Sequence, residues 1–280
     1  MKDGENLRKG VTEWLAYIAP TLAPIEKYEW TGQDIDQYWD FLKRGVIKRQ
    51  HEALDAICKM AEIGVGHFGV TLVRPAFEEL VWIEYLNKNK SKANELVVLL
   101  TMQEIAANLV AQNDYIGVKG MKALGFTQRF VKSSLARNRK YNKQIRDLAR
   151  ELGWPKRKVG ALPSMAFLAR KVGRAAEYEF LYQGTSRYVH FSTTEILRRV
   201  WGVKGEVTIG SSAFSSYWEA FSLYWSFRIL IELLVHCSDF LGDNDVAPEK
   251  HDEIMNWITA FKPIPIITTA ELKFWGQSAD

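Results

Sequence analysis

Apolar residues recur every three or four positions along most of the chain, and strict alternation is nearly absent, which predicts an all-α protein. A first helix is expected over 5–19, ended by Pro20 and Pro24, because proline lacks an amide donor and crowds the preceding turn. Asp34 or Asp36 offers a cap for a second helix running to about Ile63. Its buried side is Tyr38, Phe41, Leu42, Leu54, Ile57, Cys58 and Ala61. Gly64, Gly66 and Gly69 break that helix. A third carries Phe77, Leu80, Val81, Ile83, Tyr85 and Leu86, and Pro75 marks its start or a kink. Ser91 opens a fourth, with Leu96, Leu99, Leu100, Ile105, Leu109 and Val110 as its stripe, fading by Gly117.

Local stop and start signals are clearest in the middle of the chain. A helix is expected from about Thr127 to Leu152, stopped by Gly153 and Pro155, and Ser164 caps a short one over Met165–Val172. The pattern then predicts a helix from about Ala175 to Trp201, a loop or short strand over 203–210, and a strongly apolar helix from near Ser212 to Leu241. Pro248 begins one more, and 263–280 reads as an extended tail. The expected architecture is a multi-helix bundle of roughly eight helices, one domain over 1–262 followed by that tail.

Charge sharpens this picture. The chain carries a net +4, but 119–174 holds sixteen Lys and Arg against only Asp147 and Glu151, a local +14 that leaves −10 elsewhere. A basic limb on an acidic body implies either a polyanionic partner or pairing of the limb with the body. Few aromatic residues accompany these cations, which predicts contact with RNA or DNA phosphates through Arg137, Arg139, Lys140, Lys143, Lys156, Arg157 and Lys158 rather than stacking on bases. Cys58 and Cys237 lie far apart in apolar helical patterns, as expected for reduced thiols in the cytoplasm. No secretory signal is read at the start. Charges interrupt the apolar stretch 217–241 too often for a membrane span, so no membrane association is expected.

Several motifs carry chemistry, each beside a plainer reading. Gly64-Val65-Gly66-His67-Phe68-Gly69 matches the dinucleotide fingerprint by letter, but a helix precedes it where the chemistry requires a strand; an interhelical turn is the expectation, with no cofactor. The five histidines show no metal-ligand spacing, so no metal is expected. Arg74 and Glu78 stand four apart among apolar neighbours. Arg228, Glu232, His236 and Asp239 form a narrow polar stripe on the apolar helix, either an internal ion-pair ladder or one wall of a polar site. Partners must come from other helices, and Arg74–Glu78 is the obvious candidate. Tyr182, Ser186 and His190, with Arg187 beside them, are expected on one helical face. A hydroxyl, an imidazole and a guanidinium there suit acid–base chemistry on a phosphodiester; a core histidine bonded to a neighbouring helix is the alternative.

These residues resemble an uncharacterised, mostly bacterial helical family whose pattern is an early R-x-x-x-E followed by Y-L and a late Y-x-x-x-S-x-x-V-H. Arg74, Glu78, Tyr85 and Leu86 match the first part; Tyr182, Ser186, Val189 and His190 match the second, with Ser192 just beyond it. The stretch 162–173 resembles the short helix preceding the late motif. The resemblance spans about 40–240 and implies an all-α fold with a shared polar centre of Arg74, Glu78, Tyr182, Ser186, Arg228, Glu232 and His236. A more distant likeness is to the HEPN helical ribonucleases, although Arg187 and His190 are only three apart, where that motif spaces Arg and His by four to six. HEPN-like folds often dimerise, so the likeness implies a homodimer or another protein partner. Two classes follow: a nucleic-acid-binding module of a phage-defence or stress locus, or a metal-independent ribonuclease with Arg187 and His190 as catalytic residues.

Overall fold

Burial overrides proline at the first helix of the computed structural model, which describes residues 2–27, 37–155, 162–190, 192–203, 206–240, 264, 266 and 267. Helix α1 spans Lys2–Glu26 and runs straight through Pro20 and Pro24, contrary to the expected stop. Its buried stripe of Leu7, Val11, Trp14, Leu15, Ile18, Leu22 and Ile25 continues past both prolines. Each deeply buried side chain of this size stabilises the fold by about 1.5–3 kcal/mol, enough to offset a lost helical hydrogen bond.

The fold is all-α. Eight further helices follow among the described residues: α2 (Tyr38–Glu62), α3 (Val70–Lys88), α4 (Lys90–Ala123), α5 (Gln128–Glu151), α6 (Met165–Val172), α7 (Ala175–Val189), α8 (Thr193–Leu197) and α9 (Ser215–His236). The exception is an antiparallel hairpin, β1 (Val200–Val203) with β2 (Glu206–Ile209), pairing Val200 with Ile209. The expected caps Asp34 and Asp36, the helix from Pro248 and nearly all of the tail lie outside the described residues.

The chain divides into two compact units. The first comprises 1–30, 43–84 and 169–280, and α9 is its centre. Trp218, Phe221, Leu223, Phe227, Ile229, Leu230 and Leu233 are nearly inaccessible, so α9 is apolar over most of its circumference and leaves only a narrow polar stripe. Trp14 of α1 meets Phe227 edge to face, with ring centroids 4.9 Å apart. The glycines after α2 let a short 3₁₀ turn, Gly66–Gly69, lie against α9. A Cβ on Gly66 would sit 2.8 Å from Ala61 and from the Glu219 side chain; one on Gly69 would sit 2.8 Å from Ile57 and 3.1 Å from Ser222. The fingerprint-like letters therefore serve close packing, with helices and not a strand around them.

The second unit comprises 31–42 and 85–168. Helices α4 and α5 form its hairpin. Thr127 Oγ1 accepts from the Phe130 amide (3.2 Å) at the start of α5, and Gly153 (φ 65°) follows its end, as expected from these cap residues. An ion pair of 2.8 Å between Lys92, at the beginning of α4, and Glu151, at the end of α5, fixes the antiparallel direction. The buried face of α4 is Ala93, Leu96, Val97, Leu99 and Ala106; Ile105, expected on it, is 59% exposed, because the smaller Ala106 takes the inward position. A kink at Gly117 (φ 67°) breaks α4 before it resumes toward the turn. Behind the hairpin, Trp154 Nε1 donates to Tyr85 Oη (2.6 Å), both groups buried.

Candidate functional site

Three sets of polar side chains stand out. The first joins α3 to α7. Arg74 lies in the second turn of α3, which continues through Pro75 without the bond that an amide there would have given to the Thr71 carbonyl. Its Nε donates to Glu78 Oε1 (2.9 Å), its Nη1 donates to Ser186 Oγ (3.0 Å), and its guanidinium stands 4.7 Å from the Tyr182 ring centre. Tyr178 stacks at a tilt on Tyr182, 5.5 Å between centroids. Burial raises the Tyr178 phenol's pKa, with Arg74 opposing. Arg74, Glu78, Tyr182 and Ser186 thus meet between α3 and α7.

His190 does not join them. Helix α7 ends at Val189, and His190 follows with extended backbone (φ −106°, ψ 165°) and an exposed side chain. Ser192 then caps α8, its Oγ accepting from the Glu195 amide (3.4 Å). That second cap ends the helix expected to reach Trp201, while the His190 amide still closes the last turn of α7 on the Ser186 carbonyl (2.9 Å). Arg187 stays on α7, half-buried.

The second set gathers around α9. Arg174, between Gly173 (φ 94°) and the first turn of α7, donates from Nε and Nη2 to both Glu84 carboxylate oxygens at 2.8 and 2.6 Å. It also reaches Glu177 (2.6 Å) and Glu232. Arg228 bonds Glu232 (2.8 Å) and Glu177 (3.1 Å) and lies 5.1 Å from the Trp225 ring centre. His236 Nε2 is 2.6 Å from Glu84 Oε1, and Lys43 Nζ is 2.7 Å from Asp239. Burial alone would lower the pKa of Arg174, but Glu84, Glu232 and Glu177 hold it above the ordinary arginine value.

The stripe on α9 is therefore an ion-pair ladder, and its partners are Glu84, Arg174 and Glu177, not Arg74 and Glu78. They were missed because Glu84 and the Arg174–Glu177 step lie on different stretches of chain from α9. The three-residue step from Arg174 to Glu177 was the available signal. An open cleft of about 750 Å³ beside the ladder is walled by Phe180, Tyr224 and Trp225. Cys58 and Cys237 are buried free thiols, with pKa values pushed by burial to about 11 and about 12, which makes them poor nucleophiles. Among the described residues no group of three or more His, Cys, Asp or Glu could hold a metal ion.

The third set is the basic face of α5. Val131, Ser134, Ile145, Leu148 and Ala149 face inward, and Arg129, Lys132, Arg137, Arg139, Lys140, Lys143, Arg146 and Arg150 stand exposed. Arg150 pairs with Asp147 (3.0 Å); among the described residues no carboxylate lies within ion-pair distance of the other seven. Arg129, Lys132, Arg139, Lys143, Arg146 and Arg150 follow one another at steps of three, seven, four, three and four residues, forming a stripe about 32 Å long on one helix face. Lys156, Arg157 and Lys158 lie outside the described residues.

No helix among the described residues is long and apolar enough to cross a membrane. No curated protein and no solved structure matches the chain. Residues 40–206, which include α3, the whole α4–α5 hairpin and Arg174 to His190, match the model of DUF5677, described as a family of unknown function. Since that match covers the greater part of the sequence, the chain belongs to the DUF5677 family.

Proposed function

We propose that the chain is a nucleic-acid-binding module whose contact surface is the exposed basic face of α5. The observation that carries this reading is the absence of carboxylate partners for seven of that helix's cations among the described residues. Among the described residues of its own unit, only Asp147 pairs with a cation of this helix, and it takes Arg150 alone. A row of like charges is an unfavourable arrangement that a polyanion relieves. Its length, about 32 Å, spans several phosphates of a nucleic-acid backbone, which fall within reach of Arg129, Lys132, Arg139, Lys143 and Arg146.

The same reading makes the α9 ladder and the Arg74 cluster structural, since each cation there is matched by carboxylates or hydroxyls of its own unit. Cleavage by Arg187 and His190 has no comparable support. The His190 side chain stands exposed at the end of α7, and among the described residues no hydrogen bond or ion pair ties it to Ser186 or Arg74.

Fluorescence titration of the full chain with a labelled oligonucleotide at increasing salt tests the proposal. Affinity is expected to fall log-linearly, with a slope of about −0.7 to −0.9 per phosphate neutralised. No binding at low salt, or an affinity indifferent to salt, contradicts it.

A further inference from the structure

The turn of the α4–α5 hairpin exposes what a cationic track alone does not need. Between residues 115 and 130, four large apolar side chains face solvent: Tyr115 at 91%, Leu124 at 59%, Val118 at 56% and Phe130 at 46% of full exposure. Phe130 stacks on Phe126, centroids 5.9 Å apart and planes inclined by 29°. Exposed Lys119, Lys122, Arg129 and Lys132 lie in the same stretch. Gly117, before the turn, and Gly125, within it, both have positive φ. A nearly fully exposed tyrosine forfeits the burial that usually holds an aromatic ring in a fold, so packing does not account for it.

Resting on the nucleic-acid reading above, we propose that this tip is a stacking platform for unpaired bases, so that the preferred substrate class is single-stranded nucleic acid rather than duplex. Every base has a π-face, and an exposed ring beside cations is the arrangement that holds unpaired bases while phosphates follow the charge. Duplex bases are already stacked on one another and offer a ring such as Tyr115 nothing comparable. The occupant follows from charge complementarity: the basic stripe of α5 begins at Arg129, inside the tip, and leads away along one helix face. A helix lying on an anionic membrane would instead present its apolar face outward. In α5 that face, Val131, Ser134, Ile145, Leu148 and Ala149, is buried.

The test compares the full-length wild type with Tyr115→Ala, Phe130→Ala and Tyr115→Trp. The probes are a labelled single strand of about 16 nucleotides and a duplex of matched charge. Circular dichroism melts confirm that the variants fold; Tyr115 is so exposed that its removal should leave the melt unchanged. The expected result is wild-type preference for the single strand, about tenfold weaker single-strand binding in each Ala variant, unchanged duplex binding, and recovery in Tyr115→Trp. Equal loss on both probes, or no loss on either, overturns the platform while leaving the basic-helix reading intact. Binding to neither probe at low salt overturns both. Binding only to anionic phospholipid vesicles, lost in Tyr115→Ala, overturns both in favour of a membrane surface.

Discussion

Helices α9 and α5 are of similar length and both carry arginines, yet they treat charge in opposite ways. On α9, Arg228 and Glu232 each find an opposite charge on the same helix, on α7 or beside its start, and His236 lies against the Glu84 carboxylate of α3, all where water is partly excluded. On α5, seven cations stand in solvent without a carboxylate in reach among the described residues. Buried charge survives in a fold only when it is paired, so the α9 ladder is explained by the fold itself. Exposed unpaired charge of one sign contributes nothing to the fold and asks for a partner outside it.

The largest effect that would break this comparison is at Arg174. Replacing it with Ala strands Glu84, Glu177 and Glu232 around a missing cation, and an expected loss of about 3–5 kcal/mol should show as a large drop in melting temperature. A nearly unchanged melt would remove the structural account of the ladder. Within the second unit, Tyr85→Phe should cost about 1–3 kcal/mol, because the buried Trp154 indole N–H loses its acceptor. Denaturant unfolding of the two proteins measures it directly.

A smaller, pH-dependent effect sharpens the contrast. Burial lowers the pKa of His67, with Arg199 adding to it, and burial also lowers that of His51. A histidine whose folded pKa lies below the unfolded 6.5 contributes stability that is present above pH 6.5 and lost as pH falls through 6.5 toward the folded value. Melting temperature should therefore fall on acidification below about pH 6.5, and less steeply in His67→Gln. Glu79 and Glu219, with pKa values raised by burial, act in the opposite sense, so the difference between wild type and variant is the quantity to read.

What the sequence revealed depended on whether the signal was local. Helices α5 and α6 begin and end where Thr127, Gly153 and Ser164 said they would, because capping is settled within a turn of chain. Helix α1 defeated the same kind of reasoning, since the burial of Leu22 and Ile25 that carries it past two prolines depends on distant parts of the chain. Arg74, Glu78, Tyr182 and Ser186 were legible as a site because their spacing on two helices was readable. The end of α7 was misplaced because nothing in the apolar pattern marked it. Arg174 shows the limit most plainly. It was counted in the basic limb by its charge, yet it is the most thoroughly paired cation around α9. Charge density along a sequence does not distinguish a cation facing water from one facing three glutamates.

The central claim is that the charge on α5 belongs to a partner and not to the fold. It is tested most directly by neutralising Arg137, Arg139, Lys140 and Lys143 together to Gln and measuring both the melt and the salt dependence of oligonucleotide binding. The account predicts stability within about ±0.5 kcal/mol per substitution and a salt slope flattened by roughly one for each phosphate contact removed. A variant that unfolds at a markedly lower temperature, or one that binds with the wild-type slope, would contradict it.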